Sequence, residues 1–383
     1  MKRSFRRENP NARTTIIIPN YNGLDFLEPC LESLSRQTVH DFKVLVVDNG
    51  SSDGSAEWLK EREVPSVFLK ENTGFPGAVN VGIRESDTPF VLLLNNDTTV
   101  DPRFVEFMER AIQRSEKIFS VSSRILQMYQ PELMDDAGDL YTVMGWACQR
   151  GVGRQAKHYD RPCRVFAACA CAAIYRREIF EQIGYFDEAH FAYLEDIDVG
   201  YRARLYGYDN VYCPEAVVYH VGSGTSGSRY NAFKVRLAAR NNVYLLYKNM
   251  RLWQLVLNGP FLLAGMAVKY LFFKNMGYGK EYMSSLMEGF HTAGRQKRVP
   301  SGPGRFRREL AIQLELMAGT AVYVYELFRR RTARAGRIGT CGEPEASSSK
   351  AAWRPALQGD EDGRNDKNSG KDQESGAPGR ESL

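Results

Sequence analysis

A short apolar run that ends in polar residues is the feature of this chain that most constrains its fold. Four large apolar residues at positions 91–94 are followed directly by Asn95, Asn96 and Asp97. Such a run indicates a buried strand of a parallel sheet, and open α/β sheets bind their ligands where the strands end. We therefore expect these side chains at the mouth of a site, with Asp97 supplying an oxygen ligand for Mg²⁺ or Mn²⁺. The alternative is that Asp97 only caps the helix expected after Pro102.

The composition is that of a globular protein, and its positive charge is unevenly distributed. The 383 residues are 43% hydrophobic and 25% charged, and the formal net charge is +5. Lysines and arginines cluster near the N-terminus, at residues 295–308 and at residues 329–331. Such clusters suit anionic lipid headgroups or polyphosphates, although a solvated tail is the preferred interpretation for the N-terminal cluster. We expect no nucleic-acid partner.

The cysteines indicate a reducing compartment. There are seven, an odd number with irregular spacing, so no disulfide framework is predicted. Cys169 and Cys171 are separated by one residue and lack the spacing of a zinc knuckle. The first residues contain no apolar segment long enough for a secretory signal. We therefore expect a cytoplasmic protein.

Composition and periodicity divide the chain into four segments. A basic tail at residues 1–13 is followed by residues 14–250, where strands and helices alternate. This alternation indicates a mostly parallel, doubly wound α/β sheet with flanking helices. Residues 251–338 form a helical extension, and residues 339–383 are expected to be disordered because they have few large apolar residues. In the α/β segment, strands are predicted at 14–18, 44–48, 67–69 and 90–94, and helices at 24–36, 56–62 and 76–84.

Three turns that follow predicted strands carry further candidate binding residues. The turn IPNYNG places backbone N–H groups and Tyr21 at the same sheet edge as Asp97. Asp48 ends the second strand in VVDNGSSDGS, where its carboxylate can accept the N3–H of uracil or thymine, or simply cap the turn. In ENTGFPGAVNVG, Asn72 and Gly74 form a tight turn whose small residues let the next helix approach a nucleotide. Each of these turns is a weak signal when taken alone.

Carboxylates and one histidine in the second half of the segment suggest acid–base or metal chemistry. Glu195, Asp196 and Asp198 lie at a predicted helix start, where the helix dipole favours negative charge, so capping is one interpretation. Three carboxylates exceed what a cap needs, and their repulsion can raise the pKa of one of them, as a general base requires. His220 follows an apolar strand and precedes a Gly/Ser loop. A lone histidine is more often a structural hydrogen-bonding residue than a metal ligand.

Taken together and in order, these motifs resemble those of family 2 glycosyltransferases with the GT-A fold, and most of all the bacterial rhamnosyltransferase-like branch. The resemblance covers residues 14–250 and is specific because six motifs occur in the right order. They are IPNYNG, VVDNGSSDGS, ENTGFPGAVNVGI, LLLNNDT, GYFDEAHFAYLEDIDVGYRARLYGY and PEAVVYHVGSGTS.

The resemblance implies an inverting transfer from a nucleoside-diphosphate sugar and a role for each matched residue. It implies that Asp97 and His220 hold Mg²⁺ or Mn²⁺ on the diphosphate and that Asp48 contacts the base. Asp196 corresponds to the catalytic base, and Glu195 beside it helps to position the acceptor. Arg240 and Asn241 resemble a basic motif that follows the loop, and Arg240 is expected to meet phosphates. The expected nucleotide-sugar-binding residues are Pro19, Tyr21, Asn22, Asp48, Asn72, Gly74, Asn95, Asn96, Asp97 and Arg240.

Two departures from the family pattern bear on specificity. Only Asp97 of the Asn95-Asn96-Asp97 motif is charged, which predicts a lower metal affinity. Residues 168–172 read ACACA where relatives carry a small Ser-Gly-Ala stretch, so a changed donor or acceptor preference is possible. The expected donor is dTDP-rhamnose first and a UDP-hexose second, and the expected acceptor is a lipid-linked or growing surface polysaccharide.

Two other classes of function stay open. A nucleotidyltransferase would carry a basic residue in its first Gly-rich loop, and the IPNYNG turn has no Lys or Arg. A non-catalytic or differently specific nucleotide-sugar-binding subunit would be expected to lack Asp97, Asp196 or His220, and all three are present.

Two apolar stretches in the extension predict contact with a membrane. Residues 252–273 just reach the length of a spanning helix, but they include Pro260 and Lys269, and basic residues flank both ends. With the second stretch at 310–328, they are expected to lie on the inner face of the cell membrane. A single membrane span, or a helical subdomain packed on the catalytic core or on a second subunit, is the alternative.

Overall fold

The computed structural model describes residues 9–222, 230–300 and 304–335, with side chains described as far as residue 327. The described residues up to Arg331 belong to one compact unit. Most of the predicted basic tail, most of the predicted Gly/Ser loop after His220 and the whole tail at 339–383 lie outside the described residues.

The described residues alternate strands and helices as the sequence predicts, and each of the first three helices begins and ends within two residues of its predicted bounds. The strands are β1 (Thr14–Asn20), β2 (Phe42–Asp48), β3 (Ser66–Phe68), β4 (Phe90–Leu94), β5 (Thr98–Val100), β6 (Ile118–Gln127), β7 (Gln130–Asp136), β8 (Asp139–Tyr141), β9 (Ala147–Gln149), β10 (Cys163–Val165), β11 (Ala172–Arg176) and β12 (Asp209–His220). The helices are α1 (Leu24–Ser35), α2 (Ser55–Glu61), α3 (Gly74–Glu85), α4 (Phe104–Ile112), α5 (Arg177–Ile183), α6 (Glu195–Tyr206), α7 (Ala232–Asn249), α8 (Leu252–Asn275), α9 (Gly279–Thr292) and α10 (Arg305–Ala335).

The central sheet is mixed rather than wholly parallel. Its strands follow the order β10-β12-β6-β11-β4-β1-β2-β3, with β5 paired to β12 and β7 paired to β6. The pairs β1–β2, β1–β4 and β2–β3 are parallel, as predicted for the first half of the chain. Strand β11 runs antiparallel between β4 and β6. The carboxyl ends of β1, β2 and β4 therefore meet at one edge, where the predicted polar turns lie.

Alternate residues of the central strands pack into two hydrophobic layers on opposite faces of the sheet. Ile16 and Ile18 of β1 face α1 and α4, while Ile17 faces α3. Close packing on the second face requires Gly82, because a Cβ at that position would lie 2.4 Å from Cγ2 of Ile17. The apolar strands predicted from the sequence are therefore buried on both faces of the sheet, as is usual for parallel strands that helices cover.

The C-terminal helices pack against the α/β part along one side. Leu262 of α8 and Leu316 of α10 join a hydrophobic cluster with Tyr141 and Tyr201 of the α/β part. Polar groups inside α8 are also bonded to α10, since the side-chain amides of Asn258 and Gln313 exchange two hydrogen bonds of 2.9 and 2.8 Å. The opposite side of α8 is apolar and exposed, with Leu252, Val256 and Leu263 among its residues.

Candidate active site

Hydrogen bonds between amide and carboxylate side chains connect the ends of β1, β2 and β4. Asn96 donates from Nδ2 to Oδ1 of Asn20 at 2.7 Å, and Asn20 donates from Nδ2 to Oδ2 of Asp48 at 3.0 Å. The N–H of Ser51 donates to Oδ1 of Asp48 at 3.1 Å. Asp48 therefore caps its turn, which was one interpretation of the sequence. Each carboxylate oxygen keeps a second lone pair, so this cap does not exclude contact with a base.

Asn20 and Gly23 are missing from the predicted site residues, although the sequence contained a signal for Asn20. It ends β1 in register with Asp48 at the end of β2. Gly23 is required for the same connection, because a Cβ at that position would lie 2.0 Å from Nδ2 of Asn96.

The turn after β1 is tied to the turn after β2 and leaves one aromatic ring exposed. Asn22 accepts the N–H of Ser52 at 2.8 Å through Oδ1, and its own N–H donates to Oγ of Ser51 at 3.0 Å. Pro19 lies in β1, and Tyr21 is 37% exposed. Tyr21 therefore lies at the sheet edge as predicted, while Asn22 fixes the two turns to each other.

The turn after β3 is fixed by contacts within the protein. Oδ1 of Asn72 accepts hydrogen bonds from Nδ2 of Asn49 at 3.0 Å and from the N–H of Gly74 at 2.9 Å. Gly74 has a φ of +79°, and a Cβ there would lie 2.3 Å from the carbonyl oxygen of Phe191. The loop that precedes α6 thus packs closely against Gly74, and the approach of a nucleotide to α3 stays a prediction.

His220 lies between two carboxylates at the end of β12. Pairing of β12 with β5 places His220 opposite Thr98 and so beside the Asn95-Asn96-Asp97 turn. Nδ1 of His220 is 2.7 Å from Oδ2 of Asp135, and Nε2 is 3.3 Å from Oδ1 of Asp97. Burial opposes a charge on the ring. The neighbouring Cys171 and the two carboxylates outweigh that effect and raise the pKa of His220 well above its ordinary value.

This arrangement fits a divalent cation. A carboxylate can only accept hydrogen bonds, so the Nδ1–H of His220 donates to Asp135, and Nε2 faces Asp97, where a bound cation would take the place of the Nε2 proton. One imidazole nitrogen and one carboxylate oxygen, side by side, are donors that Mn²⁺ or Mg²⁺ accepts. Metal-binding histidines are oriented by an outer carboxylate in the same way. Asp135 is absent from the predicted site residues.

The three carboxylates at the start of α6 have different environments. Asp196 is half-buried, and its Oδ1 accepts the N–H of Ile197 at 2.8 Å. Burial raises the pKa of Asp196. Glu195 is buried, and its Oε2 has no hydrogen-bond partner among the described residues. Burial and the neighbouring Asp196 raise the pKa of Glu195 to about 8. These two carboxyls have the basicity expected of proton-transfer groups.

Asp198 is a structural residue. It is fully buried and bonded to Arg202 at 2.9 Å, Lys248 at 2.8 Å and Asn249 at 2.8 Å. These cations hold the pKa of Asp198 well below its usual range despite its burial. Of the three carboxylates at the start of α6, Asp198 therefore belongs to a buried ion cluster, and Glu195 and Asp196 remain as candidates for proton transfer.

Arg240 and its neighbour hold the loop that leads into α6. Asn241 donates three hydrogen bonds from Nδ2 to the carbonyl oxygens of residues 190, 192 and 193, at 2.8 to 2.9 Å. Arg240 donates to the carbonyl oxygen of Ala189 at 3.0 Å and forms an ion pair of 3.5 Å with Glu288. Tyr193 and Leu194 have φ values of +69° and +70°, a conformation that side chains other than glycine adopt at a cost. The expected phosphate contact of Arg240 is thus accompanied by a positioning role.

Comparisons with known proteins agree with the fold and the motifs. Residues 15–184 match the family model described as glycosyl transferase family 2. The N-acetylglucosaminyl-diphospho-decaprenol L-rhamnosyltransferase of Mycobacterium tuberculosis is 28% identical over 239 residues, which cover 55% of this chain and 77% of that protein. Two other curated relatives are much longer, and the chain covers only 25% and 13% of their lengths.

Two solved structures share the fold at low sequence identity. The crystal structure of GalNAc-T7 with UDP, GalNAc and Mn²⁺ has a TM-score of 0.51 and 16% identity, covering 62% of this chain and 48% of that one. The crystal structure of Staphylococcus aureus TarS 1–349 in complex with UDP-GlcNAc has a TM-score of 0.51 and 16% identity, covering 73% and 81%. The matched segment and the order of the motifs make residues 15–184 similar to glycosyltransferase family 2 domains, and the mixed sheet with its flanking helices has a GT-A-like fold.

Proposed function

We propose that this protein transfers a sugar, with inversion, from a nucleoside-diphosphate sugar to a hydroxyl group of a glycan or lipid-linked acceptor. One observation carries the proposal: His220 contacts both Asp97 and Asp135 at the sheet edge that also holds the end of β4. A nitrogen and an oxygen donor oriented in this way suit a cation on a diphosphate. Burial raises the pKa of Asp136, and the charges of Asp135 and Asp196 raise it further, so Asp136 is near both the His220 pair and the carboxylates at the start of α6.

Asp196 is the proposed general base. Its carboxylate is fixed by the N–H of Ile197, and its raised pKa makes it more basic than an exposed aspartate. It takes the proton of the acceptor hydroxyl while that oxygen attacks the anomeric carbon. The bond from the anomeric carbon to the diphosphate breaks on the opposite face, which inverts the configuration. Glu195 lies beside Asp196 and is proposed to position the acceptor.

Asp97 and His220 are the residues that would hold the divalent cation. A bound Mg²⁺ or Mn²⁺ supplies positive charge that neutralises the leaving diphosphate. Asp135 keeps the ring of His220 in one orientation, and the amides of Asn95 and Asn96 replace carboxylates that would strengthen binding. We therefore propose that the reaction is metal-dependent, with a modest metal affinity.

The preferred donor is dTDP-rhamnose, and a UDP-hexose is the second choice. The similarity to a rhamnosyltransferase supports the first choice, and the UDP and UDP-GlcNAc bound by the two structural neighbours support the second. Asp48 is proposed to accept the N3–H that thymine and uracil share, and the exposed ring of Tyr21 is placed to stack on a base. The name of the rhamnosyltransferase also supports an acceptor on a polyprenyl diphosphate or a growing surface polysaccharide.

Contact with the inner face of the cell membrane would suit such an acceptor. Helix α8 has 24 residues and is long and apolar enough to cross a membrane. Its hydrogen bonds to α10 and its packing on the α/β part favour a helix that lies along the protein, with the opposite apolar side toward lipid. We therefore propose peripheral attachment through α8 and α10.

The test is a donor screen with purified full-length protein. Thermal shift with dTDP-rhamnose, UDP-glucose and UDP-GlcNAc, each with and without Mn²⁺, identifies a selective donor because binding stabilises the fold. Hydrolysis or transfer of the bound donor is then measured with Mn²⁺ and with chelator. Selective binding without turnover, with lipid-linked acceptors present, would favour a non-catalytic sugar-binding subunit. Turnover unaffected by chelator would remove the metal from the proposal.

A further inference from the structure

A second group of potential metal ligands lies outside the residues assigned to the donor. Asp136 ends β7, Asp139 begins β8, and Cys169 lies in the loop before β11. One ligand atom from each of these residues lies within 4.8 Å of the others. We refer to these residues as the Asp136–Asp139–Cys169 cluster. Asp135 faces His220 instead.

The carboxylates of this cluster are buried without a counter-charge. Asp136 is fully buried, and Asp139 is 5% exposed. One oxygen of Asp136 accepts the N–H of Gly138, while Oδ2 is buried with no hydrogen-bond partner among the described residues. Neither Asp136 nor Asp139 forms an ion pair with another residue in the described part of the chain. A buried carboxylate that carries an unpaired charge costs free energy. These carboxyl groups therefore need either a bound cation or bound protons.

The surrounding groups add negative rather than positive charge. Burial and the neighbouring Asp136 raise the pKa of Asp139, and Asp196 and Glu195 act in the same direction. A second observation that points to a ligand is the Asp136 carboxylate within the cluster, whose Oδ2 is fully buried without a hydrogen-bond partner among the described residues. Arg150 acts in the other direction, but its guanidinium donates to the carbonyl oxygen of Ala137 at 3.2 Å.

The donor atoms select the class of cation. Mg²⁺ and Ca²⁺ take oxygen ligands, whereas Zn²⁺ binds thiolate sulfur together with carboxylate oxygen. We propose that Asp136, Asp139 and Cys169 bind Zn²⁺ as a second metal site. The three ligands come from two distant segments, which explains why no zinc-knuckle spacing appears in the sequence.

The zinc site would fix the loop beside the proposed base. Cys169 precedes Ala170, and the backbone N–H of Ala170 is near enough to the Asp196 carboxylate to oppose in part the rise in pKa that burial causes there. A cation held by Asp136, Asp139 and Cys169 joins the turn between β7 and β8 to that loop. The role of the zinc is therefore structural, and this inference does not depend on the identity of the donor sugar.

The experiment uses metal-stripped full-length protein reconstituted with Co²⁺ or Zn²⁺. We expect a sulfur-to-cobalt charge-transfer band in the near-ultraviolet and one Zn²⁺ per chain after dialysis, measured by elemental analysis. Both should be lost in Cys169→Ser and in Asp139→Asn. Both should persist in Cys163→Ser, which removes another partly buried thiol, and in Asp97→Ala and His220→Ala.

Two results would overturn the inference: no thiolate band in the wild-type protein, or an unchanged band in Cys169→Ser. If Cys169→Ser does not fold, alkylation of the wild-type protein with and without Zn²⁺, mapped by mass spectrometry, decides the question. Zn²⁺ should protect Cys169, and equal labelling would refute the site. Failure of the donor proposal is distinguishable, because it would appear as lost turnover with the cobalt band intact.

Discussion

Oδ2 of Asp135 accepts a hydrogen bond from Nδ1 of His220 at 2.7 Å, across a sequence separation of 85 residues. The bond fixes the ring and directs Nε2 toward Asp97 at 3.3 Å. A histidine with one nitrogen committed to a carboxylate presents the other as a ligand, and this distinguishes His220 from a histidine that only fills space. The two sides of His220 therefore have separable roles, which substitutions can test.

Removal of either proposed metal ligand should abolish most transfer while the domain stays folded. Asp97→Ala and His220→Ala should each lower kcat/KM by about 100-fold or more, since several kcal/mol of charge stabilisation are lost. Mn²⁺ affinity, measured by calorimetry, should fall in both variants. Full activity of either variant at limiting Mn²⁺ would exclude that residue from the metal site.

Loss of Asp135, whose carboxylate orients the His220 ring, should weaken Mn²⁺ binding and turnover less than loss of Asp97 or His220. Asp135→Ala should weaken Mn²⁺ binding by about 10- to 100-fold, as outer-sphere substitutions at histidine ligands do. Excess Mn²⁺ should restore most of the turnover. Glu132→Ala, on the exposed part of the same strand, is the control and should bind Mn²⁺ like the wild-type protein. A turnover defect that excess Mn²⁺ does not relieve would assign Asp135 another role.

The predictable parts of the site were those encoded in short stretches of sequence. The apolar run before Asn95, the helix start at Glu195 and the strand before His220 were predicted because periodicity and polar termini are local signals. Asp135, Asp136 and Asp139 were missed because the residues they meet, His220 and Cys169, are far away in the chain. The antiparallel direction of β11 was missed for a similar reason, since local sequence does not specify the direction of a strand.

Substitutions of Asp196 and Glu195 should lower the rate of transfer without weakening donor binding. Asp196→Asn keeps the shape of the side chain and removes its basicity, so kcat should fall by about 100- to 10,000-fold. Donor affinity, measured by thermal shift, should stay near that of the wild-type protein. Glu195→Gln should be milder. A fall in donor affinity as large as the fall in turnover would place Asp196 on the donor side or in a structural role.

Asp198 should affect stability rather than transfer. Asp198→Ala leaves the buried ammonium of Lys248 and the guanidinium of Arg202 without their common partner, which should cost about 3 to 5 kcal/mol of unfolding free energy. The folded-state pKa of Asp198 is lowered from 3.8, so its contribution is present above that value and is lost as the pH falls further. Urea unfolding at pH 7 and pH 3 should show a larger difference between wild type and variant at pH 7. An equal or larger difference at pH 3 would contradict this assignment.

The exposed side of α8 should bind anionic lipid. Val256 and Leu263 are 70% and 69% exposed and lie two turns apart on one side of the helix, so glutamates there would oppose insertion without disturbing the packed side. Full-length protein should float with liposomes that contain anionic lipid and be released only in part by high salt, because apolar burial persists when charges are screened.

The double variant Val256→Glu/Leu263→Glu should stay at the bottom of the gradient with an unchanged melting temperature. Tyr129→Glu, which changes an apolar residue of similar exposure (68%) outside the C-terminal helices, should float like the wild-type protein. If the wild-type chain never floats, this side of α8 does not bind lipid.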